Sequence, residues 1–159
     1  MVLLGSIQKD LENLITPETL TVCIGSSLKG DDGVGPFVCD ILRKVVPERI
    51  IDAATVPENH IQPIINKNPD VLLIIDAIDF DSPAGTIQLF EHEQVHSVSV
   101  STHTPSPRLF LDVIFQSIKP RVVFIGIQPG HVEFGMSLSQ DVEDSAIMLA
   151  NQIALCMVR

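Results

Sequence analysis

Leu20-Thr21-Val22-Cys23-Ile24, followed at once by Gly25-Ser26-Ser27-Leu28-Lys29-Gly30-Asp31-Asp32-Gly33-Val34-Gly35-Pro36, decides the fold class of this 159-residue chain. An apolar run of strand length breaks into a glycine-rich turn that carries two carboxylates. Val34, Val38, Ile41, Leu42 and Val45 then recur at helical spacing, with Pro36 in the first turn, where its missing N–H costs nothing. Glycines in such a turn let the backbone take φ > 0 and approach a ligand closely. In open α/β sheets the loops beyond the carboxyl ends of strands are where ligands bind. Asp31 and Asp32, just ahead of a helix N-terminus, are therefore the first place to look for function.

Outward from that stretch the same alternation continues. Strands are predicted at about 19–25, 48–53, 70–76, 85–90 and 121–127. Helices are predicted around Ile7, Leu11 and Leu14, from Glu58 to Asn66, from a Ser106 cap and Pro107 to Ser117, and after a Ser139 cap along Val142, Ala146, Leu149 and Ile153. Asp70-Val71-Leu72-Leu73-Ile74-Ile75-Asp76 is an unbroken apolar run suited to a central parallel strand, terminated by Asp76. Thr86-Ile87-Gln88-Leu89-Phe90 alternates like a half-exposed, antiparallel edge strand. The expected architecture is α/β: a single-domain three-layer sandwich over residues 1–159, with a mostly parallel five-stranded sheet, helices on both faces and one antiparallel edge strand.

Composition narrows the function classes. A formal net charge of −10 argues against nucleic-acid and anionic-membrane partners. No apolar run reaches the ~18 residues of a spanning helix, and the N-terminus lacks the features of a signal peptide, so the chain reads as cytoplasmic. Cys23, Cys39 and Cys156 are odd in number, widely spaced and set among apolar neighbours, as buried structural thiols are. With no GxSxG elbow and no loop cysteine beside a histidine, nucleophilic catalysis has no candidate.

A doubly wound topology would gather Asp31 or Asp32, Asp76 at the end of the third strand, and His103 in Ser101-Thr102-His103-Thr104-Pro105. Two carboxylates and one imidazole form an open ligand set for a first-row divalent metal, with nickel, zinc and iron(II) all compatible. His92 and His96 would pair at i, i+4 only if their segment were helical, which its place after a strand argues against. His131 could border the site from the loop after the last strand. Gly33-Val34-Gly35 lacks the third glycine of a dinucleotide fingerprint, Val38 standing in its place.

Five short motifs in register carry a resemblance: the loop from Gly25 to Pro36, Pro57-Glu58-Asn59, Ile75-Asp76-Ala77, Ser101-Thr102-His103 and Gly126-Ile127-Gln128-Pro129. Together they resemble the [NiFe]-hydrogenase maturation endopeptidases, in particular the branch serving hydrogenase 3 and energy-converting hydrogenases. The resemblance runs from about residue 20 to the C-terminus and departs from the family pattern at Cys23, where glycine is usual, and at Ser26, where asparagine is. It implies a cytoplasmic, monomeric, aspartyl or metal-dependent endopeptidase. Such an enzyme removes the C-terminal extension of a hydrogenase large-subunit precursor after nickel insertion. Carried over by motif, the catalytic and metal-contacting residues fall on Asp32, Asp76 and His103. The implied cofactor is nickel that arrives with the precursor and serves as the recognition element.

Two other classes compete. A receiver-like signalling or binding domain also gathers acidic residues after strands one and three, but needs a lysine at the end of its last strand, where this chain has Gln128-Pro129. A self-contained zinc peptidase would want a further ligand and a glutamate base. Glu58 could be asked to serve as that base, or belong to a helix cap.

Overall fold

The computed structural model describes residues 4–97, 99–100 and 107–159. In chain order the elements are α1 (Leu4–Leu14), β1 (Leu20–Ile24), α2 (Val34–Arg43), β2 (Ile50–Ala54), α3 (Ile61–Lys67), β3 (Val71–Asp79), β4 (Ile87–Glu91), β5 (Ser99–Val100), α4 (Pro107–Phe115), β6 (Arg121–Ile127) and α5 (Gln140–Val158). The main sheet runs β2-β1-β3-β6-β4. β2, β1, β3 and β6 are mutually parallel, and β4 pairs antiparallel with β6 at the edge. This is the α/β architecture read from the sequence. The unforeseen addition is β5, a two-residue strand antiparallel to the end of β3, with Val100 opposite Ile78.

Strand periodicity divides the apolar residues between two cores. Leu73, Ile75, Val123, Ile125 and Cys23 face α1, α2 and α5, where they pack with Leu11, Val38, Leu42, Leu149 and Ile153. Leu72, Ile74, Ile78, Val22 and Phe124 face the opposite side and pack with Ile64 of α3 and Phe110, Leu111 and Ile114 of α4. Because successive side chains of a strand point to opposite faces, Asp76 falls in the row of Leu72, Ile74 and Ile78, on the α3/α4 side.

Four local expectations need correction. β3 does not end at Asp76 but continues to Asp79; Asp76 lies within the strand, in register with Gly126 of β6. The apolar pattern continues past it through Ala77 and Ile78, and the aspartate interrupts the pattern without breaking the ladder. The segment from Glu58 opens as a 3-10 helix, Pro57–His60, and becomes α-helical only at Ile61. The stretch His92–Ser97 is helical after all, but as a 3-10 helix, in which, with three residues per turn, positions i and i+4 do not share a face. Ser139 occupies the N-cap position of α5, yet its side chain caps nothing.

Candidate functional site

The first site loop is built by close backbone approach. Gly25 has φ +146°, and a Cβ there would lie 2.0 Å from the carbonyl oxygen of Asp32, so only glycine lets the chain turn back on itself at the end of β1. Ser26 N–H donates to Asp32 Oδ2 at 3.1 Å, and Leu28 N–H donates to Ser26 Oγ at 3.3 Å. The serine thus closes the turn with its own hydroxyl. Cys23, the other departure from the family pattern, is fully buried in the core below the loop and hydrogen-bonds to Cys39 of α2. Gly30–Gly33 form a 3-10 turn leading into α2, and both of its aspartates are buried.

The two aspartates of that turn have different partners. Asp31 accepts four hydrogen bonds from the loop after β6: Gly130 N–H (2.8 Å) and His131 N–H (3.0 Å) at Oδ2, Ser139 N–H (2.7 Å) at Oδ1, and Ser139 Oγ–H (2.7 Å) at Oδ2. In return the Asp31 N–H donates to His131 O at 2.8 Å. Burial alone would raise the Asp31 pKa; the donors outweigh it and hold the carboxyl below its ordinary value. Asp31 is therefore an ionised structural tie. Asp32 is the member of the pair whose charge is felt by Asp76.

Asp76 is 1% exposed, and neither of its carboxylate oxygens has a hydrogen-bond partner among the described residues. Burial first and the charge of Asp32 second push its pKa well above the ordinary carboxylate value, and the neighbouring Ala77 N–H opposes the shift only in part. The anion is thereby disfavoured, and a cation brought close would replace the missing solvation.

Of the three residues predicted to converge, Asp32 lies close enough to Asp76 for its charge to raise the Asp76 pKa. His103 lies outside the described residues, and among those described no cluster of three histidine, cysteine, aspartate or glutamate side chains is placed to hold a metal. Glu58 is exposed on its 3-10 helix. His131 contributes backbone to the Asp31 tie, and its Nε2 lies 3.2 Å from Ser137 O. Gln128 has a role that its place in a motif did not reveal. Buried at the end of β6, it accepts Phe80 N–H (2.8 Å) and Ser82 N–H (3.3 Å) at Oε1 and donates from Nε2 to Asp79 Oδ1 (3.0 Å). It thus clamps the turn after β3 to the loop after β6. Its signal in the sequence is a polar residue directly after the apolar, buried run Val122 to Ile127.

The family model described as hydrogenase maturation protease, HycI, matches residues 42–155. The hydrogenase 3 maturation protease of Escherichia coli K12 is 31% identical over 127 residues, covering 78% of this chain and 81% of its own. Among solved structures, the [NiFe] hydrogenase maturation protease HycI of Thermococcus kodakarensis superposes with a TM-score of 0.84 at 26% identity, over 94% of this chain and 99% of that one. The solution structure of the E. coli endopeptidase HycI gives 0.74 at 28% identity, over 86% and 88%.

Proposed function

Because this chain belongs to the HycI family of hydrogenase maturation proteases, we propose that it cleaves the C-terminal extension from a [NiFe]-hydrogenase large-subunit precursor, and does so only once the precursor carries nickel. The observation that carries the reading is the contrast between two buried aspartates. Asp31 is saturated with donors; Asp76, beside Asp32, has only the neighbouring Ala77 N–H close by and no well-formed hydrogen bond to either oxygen among the described residues. A buried carboxyl left in that condition favours a positive partner delivered from outside.

In this reading nickel is part of the substrate. Asp32, Asp76 and His103 supply two hard oxygens and one imidazole nitrogen, a set too sparse to retain a borderline metal strongly but sufficient to contact one already held by the precursor. His103, three residues beyond Val100, whose backbone pairs with Ile78 of β3, is added to the set by its motif. Asp32, Asp76 and His103 would contact a nickel ion carried by the precursor, whose charge would favour the carboxylate form of Asp76 and hold the scissile segment near the two aspartates. Metal recognition thereby becomes the condition for cleavage.

Among the described residues no helix is long and apolar enough to cross a membrane, and we place the reaction in the cytoplasm with a monomeric enzyme. The test is mass spectrometry of purified precursor incubated with metal-free protease. Nickel-loaded precursor should lose its C-terminal extension and nickel-free precursor should stay intact. Equal processing of both would refute nickel as the recognition element and favour an aspartic-type mechanism, in which Asp76 and Asp32 share the activation of water.

A further inference from the structure

The loop tied down by Asp31 presents to solvent a phenylalanine, a residue type packed in or against the cores elsewhere among the described residues. Of the seven phenylalanines, Phe37, Phe80, Phe90, Phe110, Phe115 and Phe124 pack in or against the two cores. Phe134 stands 75% exposed. It occupies the tip of a tight turn closed by Met136 N–H to Glu133 O at 3.3 Å, with Gly135 at φ +85° and open space around it. The glycine is there for the turn, since nothing nearby would crowd a side chain.

Phe134 has apolar neighbours. Gly135 N–H donates to Leu28 O at 2.8 Å and Gly30 N–H to Met136 O at 3.0 Å, so the tip is sewn to the site loop on both sides. Leu28 is 61% exposed, Val132 49% and Met136 46%. Four large apolar side chains thus share two interlocked loops, one of which continues directly into Asp32. The four bonds to Asp31 fix the segment from its other end. A large exposed apolar surface on a rigid frame marks an interaction site, and aromatic and Met anchors are what protein interfaces favour.

We propose that Leu28, Val132, Phe134 and Met136 form the rim on which the hydrogenase precursor docks, taking an apolar, uncharged stretch of that protein beside the scissile bond. The occupant follows from continuity and charge. Leu28 lies four residues before Asp32 on the same loop, so a polypeptide engaged at Asp32 has the rim as an adjoining surface. Lys29 and Glu133 offset each other on the rim in a chain of net charge −10, and the Asp31 carboxylate beneath it is taken up by its own four donors, so the rim attracts by burial. The proposal rests on the reading that Asp32 and Asp76 process such a precursor.

The test uses full-length protease and a purified, nickel-loaded [NiFe]-hydrogenase large-subunit precursor. In an Asp76→Asn background, which removes cleavage, Phe134→Ser with Met136→Ser should weaken precursor binding at least tenfold in biolayer interferometry at unchanged Tm. Phe134→Leu should restore most of it. In the active background the serine variants should lose at least tenfold in kcat/KM, chiefly through KM. Unchanged Kd and KM in the serine variants would overturn the rim while leaving the assignment of the site intact. A wild-type dimer in sedimentation that Phe134→Ser dissociates would assign the rim to a second copy of this chain and overturn it also. Full cleavage by Asp76→Asn, or a wild-type protein that neither binds nor cleaves the precursor, would instead refute the underlying function.

Discussion

The carboxylate of Asp31 takes both the backbone N–H and the hydroxyl of Ser139, each at 2.7 Å. The serine whose position suggests a helix cap has been diverted: its hydroxyl holds the start of α5 to the turn before α2. One carboxylate thereby fixes the distance between the two loops that flank Asp32. The tie gives the site its rigid frame.

Asp31→Asn should show what that tie contributes. The amide keeps one acceptor oxygen but turns an N–H₂ toward donors, and hydrogen bonds to a charged group contribute about 1.5–3 kcal/mol each, so a net loss of about 2–3 kcal/mol is expected. The pH dependence has a definite sign. The folded pKa lies below its ordinary value, so the stabilisation is complete above the unfolded pKa near 3.8 and is lost as pH falls through the lowered folded value. Urea denaturation from pH 2 to 6 should show wild type and variant converging at the acid end.

Asp76→Asn should separate stability from function in the opposite direction. Its raised pKa means that folding is penalised by Asp76 as pH climbs above the ordinary carboxylate range, by up to about 1.4 kcal/mol per pH unit until the folded pKa is reached. The neutral amide escapes that penalty. Calorimetry should find the variant more stable than wild type, with a gap that widens from pH 4 upward, while precursor processing is lost. A gap that is flat with pH would contradict the raised pKa of Asp76.

What was legible in the sequence follows its periodicity. The parallel strands and their helices were readable because burial on both faces of the sheet leaves continuous runs such as Val71 to Ile75, while α1, α2 and α5 show stripes. Asp76 stands out because a carboxylate within such a run has no packing reason to be there, whereas the choice of Asp32 over Asp31 comes only from the family resemblance. The role of Asp31 was not, since its partners Gly130, His131 and Ser139 lie far along the chain and three of its four bonds come from backbone N–H groups, which carry no residue signature. The continuation of β3 beyond Asp76 was missed for a related reason. A polar residue in the middle of an apolar run looks like an end, unless pairing with β6 shows that the ladder continues.

The three cysteines should be inert in the native protein. Cys23, Cys39 and Cys156 are buried and free. Burial pushes the Cys23 thiol well above its ordinary value, and its contact with Cys39 raises it further; burial raises Cys156 as well. Thiolate is the reactive form, so a thiol reagent at pH 8 should modify none of the three before unfolding and all of them in denaturant. Replacing all three with alanine should cost a few kcal/mol at most, about 1 for each small sulfur removed from a packed site, and leave processing intact in the folded fraction. Loss of turnover in a folded triple variant would point to a thiol nucleophile.

Two Gly→Ala substitutions should have opposite signs. At Gly25, φ is +146° and the new Cβ would stand 2.0 Å from Asp32 O, with Pro36 Cδ at 3.2 Å. The methyl cannot be placed without moving the backbone of the residue that carries a site carboxylate. A loss of about 3 kcal/mol or more is expected, as for other strained or overpacked positions, together with loss of processing by whatever fraction still folds. At Gly5, inside α1, nothing lies within 4 Å of the added Cβ, and alanine is the better helix former, so the change should stabilise by about 0.5–1 kcal/mol without altering cleavage. Thermal denaturation and precursor processing measured on both variants place the closeness of Gly25 and Asp32 under direct test: a Gly25→Ala variant as stable and as active as wild type would show that the site loop is not held by this contact.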